Sequence, residues 1–326
     1  MKAIVCKAWG LPDTLTLEEL PDLVPGPGQV VLDVKAAGVN FPDVLIIQGK
    51  YQVKPALPFT PGSEVAGVVR AMADDVQGYQ LGQRVIAFTG QGGFAQQLAV
   101  PVQALMPMPA DMDFDTAAAI TLTYGTSHHA VVDRAGLKAG ETMLVLGAAG
   151  GVGLAAIEIG KALGARVIAA ASSDAKLEVC KAHGADLLVN YSNDDWRDAV
   201  KAATDGKGPD VIYDPVGGIY AEPAFRTIAW RGRYLVVGFA NGEIPRLPLN
   251  LALLKGASVV GVFWGEFVKR EPQASLAAMG QLLGWLKEGK IQPHISARYP
   301  LADTASALND MAARLVTGKV VILPEA

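Results

Sequence analysis

The sequence predicts an α/β protein in two parts: a doubly wound parallel sheet with helices on both faces, and a mostly β domain whose chain it interrupts. Three observations carry this. Up to about Met108 the chain shows short strand-like runs separated by turn clusters. From Glu141 it alternates strand, turn and helix, the pattern of a parallel sheet covered on both sides. After a last long helix it returns to short strand signals, so its tail is expected to rejoin the first part. The 326 residues suit two domains of ordinary size. The expected division is 1–124 with 265–326 for the mostly β domain and 125–264 for the doubly wound one.

In the first part the strand-like runs are 29–37, 64–71, 84–88 and 94–100, short and bounded by turn residues. In the second, 143–146 is an apolar run, 152–163 has apolar residues at helical spacing and stops at Gly164, and 166–171 is the next strand. A helix over 174–183 closes at Gly184; 187–189 is a strand, 195–203 a helix, 211–213 a strand. Residues 221–230 and 234–239 add a helix and a strand. After a strand at 258–263 come a helix over 273–287 and a final strand at 319–323. The 36 glycines and 20 prolines fall mostly between apolar runs, as punctuation, and there is no internal repeat.

With 51% hydrophobic and 18% charged residues the chain is too apolar to be disordered. Its 28 basic and 32 acidic residues give a net charge of −4, with no drive toward phosphate backbones or anionic lipid, so neither nucleic acid nor a membrane surface is an expected partner. Cys6 and Cys180 cannot supply a disulfide framework or a four-thiolate zinc lobe, and a reducing cytoplasm is the default. Lys7 interrupts what a signal peptide would need as its apolar stretch, so no export signal is expected. The charge-free stretch 85–110 is broken by Gly, Gln and Pro, and 142–157 is too short to span hydrocarbon; a soluble protein is expected.

The strongest motif is 144–153, LVLGAAGGVG, where a first strand turns into a helix. A dinucleotide pyrophosphate needs backbone amides aimed at it from a helix N-terminus; Gly150 lets the backbone approach and Gly153 lets the helix pack on the strand. Ala149, Gly150, Gly151, Val152 and Gly153 are therefore candidate cofactor contacts, against the alternative of a turn without a ligand. Ala148 stands where the usual fingerprint has its first glycine, and Gly147 before it eases the turn. Cofactor choice is read at the end of the second strand, where Ser172, Ser173 and Lys176 suit the 2′-phosphate of NADPH. Asp174 suits NAD, unless it serves the helix that begins there.

Taken together, several segments resemble the medium-chain dehydrogenase/reductase superfamily, and within it the zinc-independent quinone oxidoreductases and quinone oxidoreductase-like proteins. They are 37–43 (AGVNFPD), 49–51 (GKY), 61–67 (PGSEVAG), 82–85 (GQRV), 148–153 (AAGGVG), 237–240 (VGFA), 263–265 (FWG) and 289–294 (GKIQPH). The resemblance implies a Rossmann NADPH-binding domain and a discontinuous GroES-like catalytic domain. In zinc-dependent relatives a cysteine stands where this chain has Asn40 and a histidine where it has Ser63. Catalytic zinc needs three protein ligands, and those are missing here, so no metal is expected. His128 and His129 are adjacent on an expected helix and diverge, which reads as helix surface or a domain junction. Glu64, near the place of the absent zinc, reads as a structural acid.

The resemblance further implies that Asn40, Tyr51 and Tyr124 lie beneath the nicotinamide, with Asn40 and Tyr51 as orienting donors and Tyr51, Tyr124 or water as proton source. One donor aimed at developing negative charge is worth about 2.7–4 kcal/mol. Structural readings stand beside these: Asn40 capping a turn, the tyrosines as core aromatics. Lys176 and Ser173 are expected at the 2′-phosphate, Tyr191 near the adenosine ribose, and Phe239 and Ala240 beside the nicotinamide ribose. Phe263 and Trp264 are further expected cofactor contacts. Arg314 resembles an arginine brought to the same phosphate, or is an ordinary helix-end charge. A homodimer through the 258–263 strand is expected. The activity so implied is NADPH-dependent reduction of a quinone or similar conjugated carbonyl. Alternatives are reduction of an enone, alkenal or enoyl-thioester double bond, and a non-catalytic NADPH-binding protein of crystallin-like or RNA-associated type.

Overall fold

The computed structural model describes residues 1–325; Ala326, the last residue of the expected second segment, lies outside them. Two compact units emerge, Met1–Leu122 with Ile295–Ala326, and Thr123–His294. The tail rejoins the first unit, as the strand pattern at 319–323 requires.

In the first unit β1 (Lys2–Val5) and β2 (Thr16–Glu19) form an antiparallel pair. The main sheet opens with β3 (Gln29–Val39), which runs into the short helix α1 (Phe41–Ile46), followed by β4 (Glu64–Met72), β5 (Arg84–Phe88), β6 (Gln97–Pro101) and β7 (Leu105–Pro107). Helix α2 (Phe114–His128) carries the chain from one unit into the other. The expected strand at 94–100 starts late, because the amides of Phe94 and Gln96 bond to Pro61 and Lys2 outside the β6 ladder.

The second unit holds β8 (Thr142–Leu146), α3 (Gly151–Ala162), β9 (Arg166–Ala171), α4 (Asp174–Ala182), β10 (Leu187–Asn190) and α5 (Trp196–Ala203). It continues with β11 (Val211–Asp214), α6 (Ala221–Thr227), β12 (Arg233–Val236), α7 (Leu249–Lys255), β13 (Ser258–Gly261), α8 (Trp264–Arg270) and α9 (Pro272–Lys287). The strand order is β10-β9-β8-β11-β12-β13, all parallel, so the order reverses between β8 and β11. In an open α/β sheet that reversal opens a crevice at the carboxyl ends of the strands. The strand expected to reach Phe239 stops at Val236, since residues 237–242 leave the sheet to pack on the turn after β11.

The chain returns through β14 (Ile295–Pro300), α10 (Thr304–Ala312) and β15 (Lys319–Leu323). β15 lies antiparallel to β3, with Val320 opposite Val39, and β3 lies antiparallel to β4, with Gly38 opposite Glu64. Three segments far apart in sequence thus end side by side. An interior of branched aliphatic side chains, among them Val30, Leu32, Val34, Val65, Val85 and Ile322, sits on this sheet. Among the described residues no helix is long and apolar enough to cross a membrane.

The second unit ends at His294, whereas the sequence pattern places the return at 265. The cause is packing of α8 and α9 against the end of α2. The His129 ring stacks on Phe267 at 4.1 Å and the His128 ring lies 5.8 Å from Trp285, with its Nε2 2.7 Å from Gln281 Oε1. Both histidines are 6% exposed, so neither is the surface residue expected.

Burial depresses the pKa of His128, His129 and His294 below their ordinary value of 6.5, the last helped by the His183 charge. Below about pH 6.5 the unfolded chain binds more protons than the folded one at these sites, so stability is present above that pH and is lost as pH falls. The thermal midpoint should drop between pH 7 and pH 5, and His129→Gln should shallow that drop. An equal pH slope in the variant would contradict the assignment.

Candidate functional site

In the second unit the site is built from backbone. Gly150 caps α3, and Leu154 is the first amide to find a carbonyl within that helix, at Gly150. The amides of Gly151, Val152 and Gly153 are left at the open N-terminus, where an anion satisfies them and meets the positive end of the helix dipole. A Cβ at Gly153 would lie 2.5 Å from Gly147 O and 2.6 Å from Ala148 O, so only glycine lets the helix start this close to the turn. Gly147 supplies a left-handed φ of 56°. Ala149 is buried in the same turn.

Neighbouring turns interlock at the same sheet end. Asp214 closes β11 and takes the amides of Val216 and Gly217 on Oδ1 at 2.7 and 2.8 Å, with the Tyr234 hydroxyl on Oδ2. Ala240 N bonds to Pro215 O at 3.0 Å, and a Cβ at Gly217 would come within 2.9 Å of the Phe239 ring. The expected nicotinamide-side residues Phe239 and Ala240 are thereby fixed beside the strand-order reversal.

At the end of β9, Ser173 caps α4 by accepting from Lys176 N at 3.4 Å, and Lys176 Nζ reaches Ser172 Oγ at 3.5 Å. Asp174 Oδ1 accepts from Asn190 Nδ2 at 2.9 Å, which commits the one acid that argued for NAD. Tyr191 N bonds to Ala171 O at 3.1 Å, and its ring stands 4.5 Å from that of Tyr220. Ser172, Ser173, Lys176 and Tyr191 therefore gather at one strand end.

The remaining expected contacts are dispersed. Trp264 is buried, its indole so close to Gly125 that a Cβ there would sit 2.9 Å away, and Phe263 is exposed at the N-cap of α8. Arg314 belongs to the first unit, where it closes α10 with a left-handed φ of 59°. Tyr124 is buried and donates its hydroxyl to Glu158 Oε2 at 2.6 Å, a carboxylate that also takes Gln292 N at 2.9 Å and lies 2.6 Å from His183 Nδ1. Burial and that carboxylate hold the phenol pKa well above its usual value. Tyr124 is thus held by a carboxylate within the second unit.

In the first unit the register of β15, β3 and β4 assembles a buried polar cluster. Asn40 Nδ2 donates to Glu64 Oε1 at 2.9 Å and to Gly38 O at 3.3 Å. Lys319 Nζ donates to Glu64 Oε1 at 2.5 Å, to Asn40 Oδ1 at 2.6 Å and to Val39 O at 3.2 Å. Glu64 Oε2 takes Leu122 N at 2.8 Å. Asn40, Glu64 and Lys319 are 3%, 0% and 2% exposed. Gly38 is required: a Cβ there would lie 2.2 Å from Ala118 O and 2.5 Å from Glu64 Oε1. Asn40 therefore spends its amide on the cluster. Tyr51 fares differently. Half-buried against the core, its hydroxyl has no hydrogen bond among the described residues.

Sequence reasoning missed Lys319 and Asp43. A lysine opening the run KVVIL reads as a strand-edge charge; only the β15–β3 register shows that it is buried. Asp43, three residues after Asn40, takes Asn40 N on Oδ2 at 2.8 Å.

The cluster does not suit zinc. Where a zinc site presents sulfur or imidazole it offers the Asn40 amide, and the Glu64 carboxylate is matched to an ammonium. Among the described residues no group of three or more His, Cys, Asp or Glu could hold a metal ion.

Comparison with known proteins follows this division. A family model described as an alcohol dehydrogenase GroES-like domain matches residues 26–110, and one described as a zinc-binding dehydrogenase matches residues 151–281. The chain is 38% identical over 328 residues to quinone oxidoreductase-like protein 2 homolog of Nematostella vectensis, covering 98% of this chain and 88% of the relative. It is 34% identical over 328 residues to the quinone oxidoreductase of Homo sapiens, covering 99% and 98%. The solved structure of Escherichia coli quinone oxidoreductase complexed with NADPH matches with a TM-score of 0.92 at 26% identity, over 99% of this chain and 100% of that one.

Lys319→Met leaves Glu64 buried without a cation and should cost about 3–5 kcal/mol of stability in urea unfolding. Adding Glu64→Gln removes the unmatched charge and should recover most of that loss. A double variant no more stable than the single one would show that the ion pair is not what the cluster depends on.

Proposed function

This chain belongs to the medium-chain dehydrogenase/reductase superfamily, among the quinone oxidoreductases, and from that membership we propose that it reduces a quinone or similar conjugated carbonyl with NADPH. One observation supports the reading: the α3 amide cradle follows β8 at the reversal of strand order and the Ser172–Lys176 corner follows the neighbouring strand β9, an arrangement that suits a 2′-phosphorylated dinucleotide. Gly151, Val152 and Gly153 would take the pyrophosphate. Ser172, Ser173 and Lys176 would take the 2′-phosphate, with Tyr191 at the adenosine ribose and Phe239 and Ala240 at the nicotinamide ribose. Bound there, NADPH supplies the hydride.

Tyr51 would be the polar partner for the acceptor. Of the tyrosines expected to act, Tyr51 keeps its hydroxyl available, and burial together with the Asp43 charge raises its pKa, so it remains a proton-bearing donor at neutral pH. It would donate to the acceptor oxygen as charge develops there. Asn40 would serve from behind, holding the end of β3 through Glu64 and Lys319.

We further propose a homodimer and a reducing, cytoplasmic setting. β13 is the last strand of its sheet, with Val259 and Phe263 exposed, and Leu249, Leu253 and Leu254 of α7 are exposed as well. An apolar open edge of this type is covered most economically by a second copy. Both cysteines are buried and unpaired, which suits reducing conditions.

A panel of quinones and enones with NADPH and NADH tests the activity. Oxidation of NADPH by a quinone is expected, and failure with every quinone would remove the assignment. A saturated carbonyl product from enones would instead favour double-bond reduction. Lys176→Ala should weaken NADPH binding roughly ten- to a hundredfold with little effect on NADH, the worth of one charge-assisted hydrogen bond. An unchanged preference would refute the phosphate contact. For assembly, light scattering should give twice the monomer mass, and Val259→Lys with Phe263→Lys should give the monomer; a dimer surviving both changes argues for another surface.

A further inference from the structure

The first turn of α3 is held from outside its own helix. Ser127, in the last turn of α2, donates its hydroxyl to Val152 O at 2.8 Å, and its Oγ stands 2.9 Å from the Tyr213 hydroxyl near the end of β11. All three residues belong to the second unit, and both hydroxyl-bearing side chains are 0% exposed. The direction of these bonds follows from the groups themselves. A carbonyl oxygen only accepts, so the single Ser127 proton goes to Val152, and Ser127 Oγ accepts from Tyr213. Burial raises the Tyr213 pKa, which keeps that phenol protonated and donating at neutral pH.

Val152 O is a consequential place to attach. The Val152–Gly153 peptide is planar and trans, so its C=O and its N–H point in opposite directions. That N–H, on Gly153, is one of those left open at the start of α3, where the first ladder bond runs from Leu154 N to Gly150 O. A carbonyl oxygen has two lone pairs, so Val152 O can take Ser127 and still serve the helix ladder. With this oxygen tethered, the peptide plane resists rotation and the Gly153 N–H keeps one direction. A hydrogen bond into the carbonyl also polarises the peptide and strengthens its N–H as a donor. Gly153 itself cannot supply the anchor: a Cβ there would lie 2.5 Å from Gly147 O, so the residue has to be glycine, the most permissive backbone. The plane is therefore steadied from its carbonyl side. The tether also joins the two strands that flank the reversal of strand order, since Tyr213 lies on β11 and α3 follows β8.

We propose that Ser127 is a positioning residue for the dinucleotide: backed by Tyr213, it fixes the Val152–Gly153 peptide so that the Gly153 amide is already aimed when the pyrophosphate arrives. The inference rests on the reading that this turn takes the pyrophosphate. Its effect is preorganisation, which shows as affinity for any ligand that reaches the turn and not for one that stops short of it.

The test measures binding, without turnover, of NADPH, NADH and adenosine 2′-monophosphate, which carries the ribose phosphate but no pyrophosphate. Ser127→Ala should weaken NADPH and NADH by the same factor, about three- to tenfold, the worth of one hydrogen bond, and leave adenosine 2′-monophosphate unchanged. Ser127→Thr, which keeps the hydroxyl, should bind NADPH as the wild type does. Tyr213→Phe should cost less than Ser127→Ala and nothing further when added to it, because the phenol acts through the serine. Equal loss of all three ligands in Ser127→Ala would mark a serine that only stabilises the fold and overturn the proposal, as would unchanged NADPH binding; in either case NADPH bound by the wild type keeps the cofactor reading. If the wild type binds neither NADPH nor NADH, that reading fails and the positioning role with it. In the NADPH-bound protein the Gly153 amide proton should resonate at lower field in the wild type than in Tyr213→Phe. Identical resonances overturn the proposal even where Ser127→Ala does not fold.

Discussion

The first unit depends on one buried ion pair and on the strand register that makes it. Lys319 and Glu64 are two full charges almost wholly removed from water, and such a pair holds only where every remaining donor and acceptor is also met. Here they are: Glu64 takes Lys319, Asn40 and the Leu122 amide, and Lys319 takes Glu64, Asn40 and Val39. The three side chains come from the facing ends of β15, β3 and β4, and a slip of β15 by one residue would turn Lys319 to the other face. The cluster draws on both segments of the discontinuous unit. Its lysine is supplied only after the chain has completed the second unit, so the segments that share the cluster are almost the full chain apart.

The second unit solves its problem with backbone instead. Gly153 brings α3 against the turn, and Gly147, Gly217 and Gly218 take left-handed conformations that set the neighbouring turns side by side. Asp214 organises this edge from below, bonding two successive amides and a tyrosine hydroxyl. A dinucleotide is long and carries its charge at the phosphates, and fixed amides with a helix dipole recognise that charge at little cost in side-chain entropy. Side chains are added only at the Ser172–Lys176 corner, where one phosphoryl group must be told from a hydroxyl.

What could be read from the sequence divides the same way. Alternating strand and helix, the glycine turn and the β9 corner are local patterns, and each falls within a residue or a few of its place in the structure. The buried clusters are products of pairing between distant segments. Lys319 is indistinguishable from a surface lysine until β15 meets β3. Tyr124 resembles a pocket tyrosine until Glu158, an acid standing within the apolar run of α3, is found beneath its hydroxyl; that acid was the one visible signal. His128 and His129 diverge as adjacent helical residues must, but α8 and α9 cover both directions, so divergence did not mean exposure. That packing also moved the boundary from 264 to 294.

The two buried acids of the first unit show how environment divides identical chemistry. Glu64 and Asp43 are both buried carboxyl groups near one ammonium, and that ammonium pairs with Glu64. Glu64 has the ammonium, an amide side chain and a backbone amide; Asp43 has a single backbone amide and an empty oxygen. Identical groups placed so differently acquire different surroundings: Glu64 ties strand ends together, while Asp43 keeps one oxygen unmet. Here the ammonium is internal and saturated, its three donors given to Val39, Asn40 and Glu64.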